Sequence, residues 1–107
     1  MTTFDKREEG FEKKFAHDEE LRFKARARRN RLLGQWAAQK LGLSADEAVA
    51  YAKEVVMAGL EAGGDEGAFQ KVRKDFDAKA VAQSDHQVRR TMDELMEKAI
   101  AEIRTAG

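Results

Sequence analysis

Cysteine and proline are both absent from the 107 residues. Without cysteine there is no disulfide framework and no thiolate metal site, a usage that fits a reducing compartment. Without proline nothing forces a helix to break, so long helices can run on. No apolar stretch approaches the roughly 18 residues that a membrane span needs. The opening Met1-Thr2-Thr3-Phe4-Asp5-Lys6-Arg7 leads into charge, so no signal peptide is expected. An excess of either charge is also missing: 20 Lys and Arg stand against 20 Asp and Glu. Nothing global therefore points to nucleic acid or an anionic membrane. There is no tandem repeat and no low-complexity tract.

What is present is Ala, Glu, Lys, Arg and Leu in abundance, the composition of an all-helical chain. The length suits one domain with a modest core. The expected fold is all-α, a four-helix bundle with a flexible N-terminal arm. The longest helix-like stretch, Phe4 to Leu41, would measure about 55 Å as one rod. A fold of this size cannot cover both ends of it, so one end should project.

Charge and apolar pattern both divide that stretch. Asp5 to Glu20 is rich in acids, and Arg22 to Arg31 carries Arg22, Lys24, Arg26, Arg28, Arg29 and Arg31 with no acid. This order suits the helix macrodipole. Phe4, Phe11 and Phe15 fall at i, i+7 and i+11, one narrow stripe that runs on into Asp18 and Arg22. Beyond it, Leu21, Ala25, Leu32 and Trp36 lie on one side, with Phe23, Ala27, Ala37 and Leu41 roughly opposite. That is the pattern of a bundle helix with more than one neighbour.

The other helices have readable ends. Gly42 suits a left-handed stop with Leu43 folding back. Ser44-Ala45-Asp46-Glu47 is a capping box opening a second helix, with Ala48, Tyr51, Ala52, Val55, Val56 and Leu60 at core spacing. Gly63-Gly64 ends that region, and Asp65 is the best cap for a short third helix with Phe69, Val72 and Phe76 as its face. Ser84-Asp85-His86-Gln87 is a second capping box. It opens a fourth helix carrying Val88, Met92, Leu95, Ala99 and Ile103, flanked by Thr91, Met96 and Ile100.

The expected division is an arm, 1–20, and a bundle, 21–107. Burying each phenylalanine of the stripe contributes roughly 1.5–3 kcal/mol, whereas ordering the backbone costs on the order of 1–2 kcal/mol for every residue. Three rings cannot offset an arm of this length, and Gly10 costs about another 0.5–1 kcal/mol relative to Ala. The arm is expected to be disordered or frayed alone, completing its helix only against a partner that buries the stripe.

Candidate chemistry is sparse. His86 falls in the first turn of a capped helix and reads as a surface residue. His17, in the arm, would tune docking near neutral pH through its charge. The carboxylates follow helix-surface patterns beside bases, and none is isolated in an apolar setting as acid–base catalysis needs. Gly63-Gly64-Asp65-Glu66-Gly67 lacks the Lys and following Ser/Thr of a P-loop. An enzyme is not expected, and neither is a cofactor or a metal. The cations from Arg22 to Arg31 form two stripes, Arg22/Arg26/Arg29 and Lys24/Arg28/Arg31, on opposite sides of a helix, with no zipper heptads after them. This argues against nucleic acid as a partner.

Two long segments carry a specific resemblance. Phe11-Glu12-Lys13-Lys14-Phe15-Ala16-His17-Asp18-Glu19-Glu20-Leu21-Arg22-Phe23-Lys24-Ala25, Ala27-Arg28-Arg29-Asn30, Leu32-Leu33-Gly34 and Trp36-Ala37-Ala38 resemble the zeta-subunit family, small inhibitor subunits of the F-type ATP synthase in alphaproteobacteria. Gln83-Ser84-Asp85-His86-Gln87-Val88-Arg89-Arg90-Thr91-Met92-Asp93-Glu94-Leu95 is similar to that family's last-helix signature. The resemblance implies a four-helix bundle whose N-terminal segment enters the catalytic head between an alpha and a beta subunit, against gamma. There it stops ATP hydrolysis while permitting synthesis. The partner-binding residues it implies are Phe4, Arg7, Phe11, Lys14, Phe15 and Asp18. It implies a cytoplasmic protein, peripheral to the inner membrane through the synthase head and without direct membrane contact. The alternative reading is a small-ligand module holding a nucleotide near the two-sided first helix, though no phosphate-binding motif supports it.

Overall fold

The computed structural model describes residues 18–62 and 65–106. These form α1 (Glu19–Leu41), α2 (Ala45–Ala62), α3 (Glu66–Ala78) and α4 (Asp85–Ala106), with no strand among the described residues. The all-α bundle expected from the sequence is what is observed. α1 packs against all three other helices, while α2 and α4 do not meet.

Local chemistry sets most boundaries. Gly42 takes φ 73°, and Leu43 N–H donates to the Ala38 carbonyl at 3.0 Å, closing α1 in a Schellman motif. Ser44 N–H donates to Glu47 Oε1 at 2.9 Å and Glu47 N–H donates to Ser44 Oγ at 3.2 Å, the reciprocal box expected at the start of α2. Ser84 and Gln87 repeat it at α4, at 2.8 and 3.1 Å. Asp65 does stand at the N-cap position of α3, but its side chain makes no bond to that helix. The carboxylate accepts instead from Arg29 of α1.

The core joins Leu33, Ala37 and Ala38 of α1 to Tyr51 and Val55 of α2, to Phe69, Val72 and Phe76 of α3, and to Val88 and Met92 of α4. Trp36 meets Phe76 edge-on, centroids 5.6 Å apart. The face expected for α3 is buried throughout. In α4, Val88, Met92 and Ala99 are buried, and Leu95 and Ile103 are half-buried.

α1 differs from the expected two-sided pattern. Phe23 is exposed, and the buried stripe is Ala25, Arg29, Asn30, Leu33, Gly34, Ala37 and Ala38. The reason is proximity: a Cβ on Gly34 would sit 2.6 Å from Ala52 Cα, so the two helices touch almost backbone to backbone. Small residues, not large ones, mark the contact. In α2, Leu60 is likewise exposed rather than core, and Gly59 is buried beside Asn30.

The end of α3 has no glycine. Ala80 takes φ 55°, and Val81 N–H reaches back to the Phe76 carbonyl at 2.8 Å. An L side chain is disfavoured there by about 1–2 kcal/mol. Ala80→Gly should raise the stability of the bundle by about 0.5–1 kcal/mol after the entropy that glycine adds to the unfolded chain, read as a higher urea midpoint at unchanged slope.

Candidate partner-binding site

Of the six residues expected to bind a partner, the structure places Asp18. Phe4, Arg7, Phe11, Lys14 and Phe15 lie outside the described residues, as does His17. Asp18 is the N-cap of α1. Its backbone is extended at φ −101° and ψ 106°, and its Oδ1 accepts from Leu21 N–H at 3.2 Å. Its carbonyl takes the first helical bond, from Arg22 N–H at 3.0 Å. Glu19 and Glu20 follow, acids in the first turn where the helix dipole favours them.

Four cations of the basic run beyond this junction, Arg22, Lys24, Arg28 and Arg29, pair with acids of the same bundle. Lys24 meets Glu20 at 3.3 Å on the surface, a pair that contributes little. Arg28 reaches Glu102 of α4 at 3.5 Å, tying the first helix to the last. Arg29 is only 2% exposed. Its Nε donates to Asn30 Oδ1 at 2.7 Å and its Nη2 donates to Asp65 Oδ1 at 2.6 Å. A buried guanidinium is tolerable because both ends of the fork are satisfied. Neither of the two stripes therefore turns all its charges toward solvent together. Arg29 was legible as a cation; its burial was not, because the partner that permits it is 36 residues away.

α2 and α3 are joined by a second polar cluster. The Tyr51 hydroxyl donates to Asp75 Oδ2 at 2.8 Å, and Lys71 stands 3.0 Å from the same carboxylate and 3.6 Å from Glu54. Partial burial opposes the charge on Lys71, yet the two acids push its pKa up. Burial first, and Asp75 second, push the Tyr51 phenol well above its ordinary range. Arg89 lies over the Phe69 ring at 3.8 Å and donates to Glu66 at 2.6 Å, which holds that carboxyl below the usual range. His86 is exposed in the first turn of α4. Among the described residues no group of three or more His, Asp or Glu is placed to hold a metal ion.

The described residues define a small four-helix protein whose first helix starts at the Asp18 cap. Comparison with known proteins makes this specific. The chain belongs to the ATPase inhibitor subunit zeta family, whose model matches residues 1–102, across Asp18 and into all four helices. No curated protein matches the sequence. Among solved structures, one determined in solution by NMR is similar at 44% identity, covering 81% of this chain and 99% of its own, with a TM-score of 0.71. Membership gives the protein a regulatory role, inhibition at the ATP synthase. No helix of the described residues is long and apolar enough to cross a membrane.

Tyr51 is the sole tyrosine, so its titration can be followed directly. Its raised folded pKa means that its contribution to stability is whole below about pH 10, the ordinary tyrosine range. That contribution is lost as pH rises further, because only the unfolded chain gains by ionising. Phenolate absorbance should therefore appear only together with loss of helical circular dichroism. A phenolate signal near pH 10 with helicity intact would count against the buried Tyr51–Asp75 bond.

Proposed function

We propose that the segment ahead of the bundle is the inhibitory element. It enters the catalytic head of the F-type ATP synthase as a helix, between an alpha and a beta subunit and against gamma, and blocks ATP hydrolysis. Phe4, Phe11 and Phe15 supply the apolar anchor, and Arg7, Lys14 and Asp18 set the register. The bundle stays outside and limits the depth of entry. The protein itself carries out no reaction, and it sits at the inner membrane only through the synthase.

The observation that carries this reading is the capped start of α1 at Asp18. The family match begins at residue 1, yet the bundle's first helix begins after the cap. The cap at Asp18 supports reading the matched segment before it as a separate element. The entropic comparison above predicts that this segment completes a helix only where a partner buries its stripe. To join it to α1 as one rod, the Asp18 cap must open at a cost of about 0.5–2 kcal/mol, which contacts in the catalytic cleft offset.

Removing residues 1–17 keeps the cap, so the bundle should retain its helical signal while inhibition of ATP hydrolysis is abolished. Inhibition by the shortened chain would refute the proposal. Phe11→Ala combined with Phe15→Ala should weaken inhibition by about tenfold or more, from the apolar burial lost.

A further inference from the structure

Four large hydrophobic side chains of the described residues are more than half exposed: Phe23 at 55%, Val49 at 59%, Met57 at 53% and Leu60 at 51%. They are not scattered. All four line one outer groove between α1 and α2, Phe23 with Leu60 at one end and Val49 with Met57 at the other. Val56 runs through the middle of it, against Ala27. On α1 the groove follows Phe23, Ala27, Arg31 and Gln35, every fourth residue, for about 18 Å, or three helical turns. Two facing ridges of that length over an apolar floor form a seat for a third helix. A contiguous apolar patch of this kind marks an interaction surface.

The rim defines the occupant's charge. Arg26, Arg31 and Lys53 line the groove and are exposed, while Arg28 at its border is already paired with Glu102. Among the described residues no carboxylate lines it, although acids and bases are equal in number along the chain. The chain's own leading segment fits this rim poorly. Its Asp5, Glu8, Glu9 and Glu12 are balanced by Lys6, Arg7, Lys13 and Lys14.

We propose that the α1–α2 groove docks an acidic amphipathic helix of the ATP synthase head, a second attachment that holds the bundle while the N-terminal segment occupies the cleft. The proposal rests on the inhibitor reading above, since it takes the synthase as the source of that helix. The groove contributes affinity, and the segment contributes inhibition.

The test titrates the full chain and its variants against the isolated catalytic head, reading both affinity and inhibition at saturation. Val49→Glu with Met57→Glu should weaken binding at least tenfold, yet leave hydrolysis fully inhibited once saturation is reached. Lys53→Glu, a surface change that spares the core, should also weaken binding, with its effect shrinking as salt rises. Affinity within twofold of the parent for either variant, with helical content retained, would overturn the proposal. So would a parent chain that dimerises through this face or carries it onto anionic vesicles, or groove variants that shift the amide signals of residues 1–17 in the free chain. Phe11→Ala with Phe15→Ala separates the two claims. Loss of inhibition there beside unchanged groove variants removes the groove alone. Weakened groove variants beside full inhibition by the phenylalanine variant remove the inhibitory-segment reading and keep the groove.

Discussion

The fold depends on how closely α1 approaches α2. At Gly34 and Ala52 the two backbones come within the reach of a single added carbon. A helix that must touch three neighbours cannot carry large residues on every side. α1 meets the demand with Ala25, Gly34, Ala37 and Ala38, and places Leu33 where it joins the core cluster. Close packing then brings Arg29 inside, and its charge is tolerable only because Asn30 and Asp65 receive the guanidinium. That bond fixes the start of α3 against α1. Asp65, the residue ahead of α3, is thus held by the same helix that sets the spacing of the bundle.

This arrangement places the Asp18 cap ahead of the described core. The described core runs from Ala25 to Ala99. Ahead of it, α1 makes exposed, short-range ion pairs and ends at the Asp18 cap. Such a cap ends a helix at modest cost and can be opened again at the same cost. A regulatory subunit gains from that. On the function proposed above, the body folds without waiting for its target, and the inhibitory segment need only become helical where the target supplies contacts.

Much of the fold was legible in the sequence because its punctuation is local. Gly42, Ser44 with Glu47, and Ser84 with Gln87 act within a few residues of where they stand, and each does what its pattern implies. The α3 face was legible because Phe69, Val72 and Phe76 are large and regularly spaced. The α1 face was not. A stripe of Ala, Gly, Arg and Asn has no hydrophobic signature, and Phe23 drew attention to the side that remains exposed. Asp65 was read through its neighbours in sequence, as a cap, while its partner is on another helix. The turn at Ala80 was hidden for a similar reason, since the docking of Val81 against the core, and not a glycine, turns the chain there. Of the candidate site, the sequence pattern marked the segment and its phenylalanine stripe. The place where the bundle helix begins required the Asp18 backbone geometry.

The most direct measurement is amide hydrogen exchange along residues 1–30 of the free protein, repeated with the synthase head bound. The account predicts that protection in the free protein begins near Arg22, the first amide bonded to the Asp18 carbonyl, and extends toward Phe4 only in the complex. Continuous protection from Phe4 through Arg22 in the free protein would contradict it.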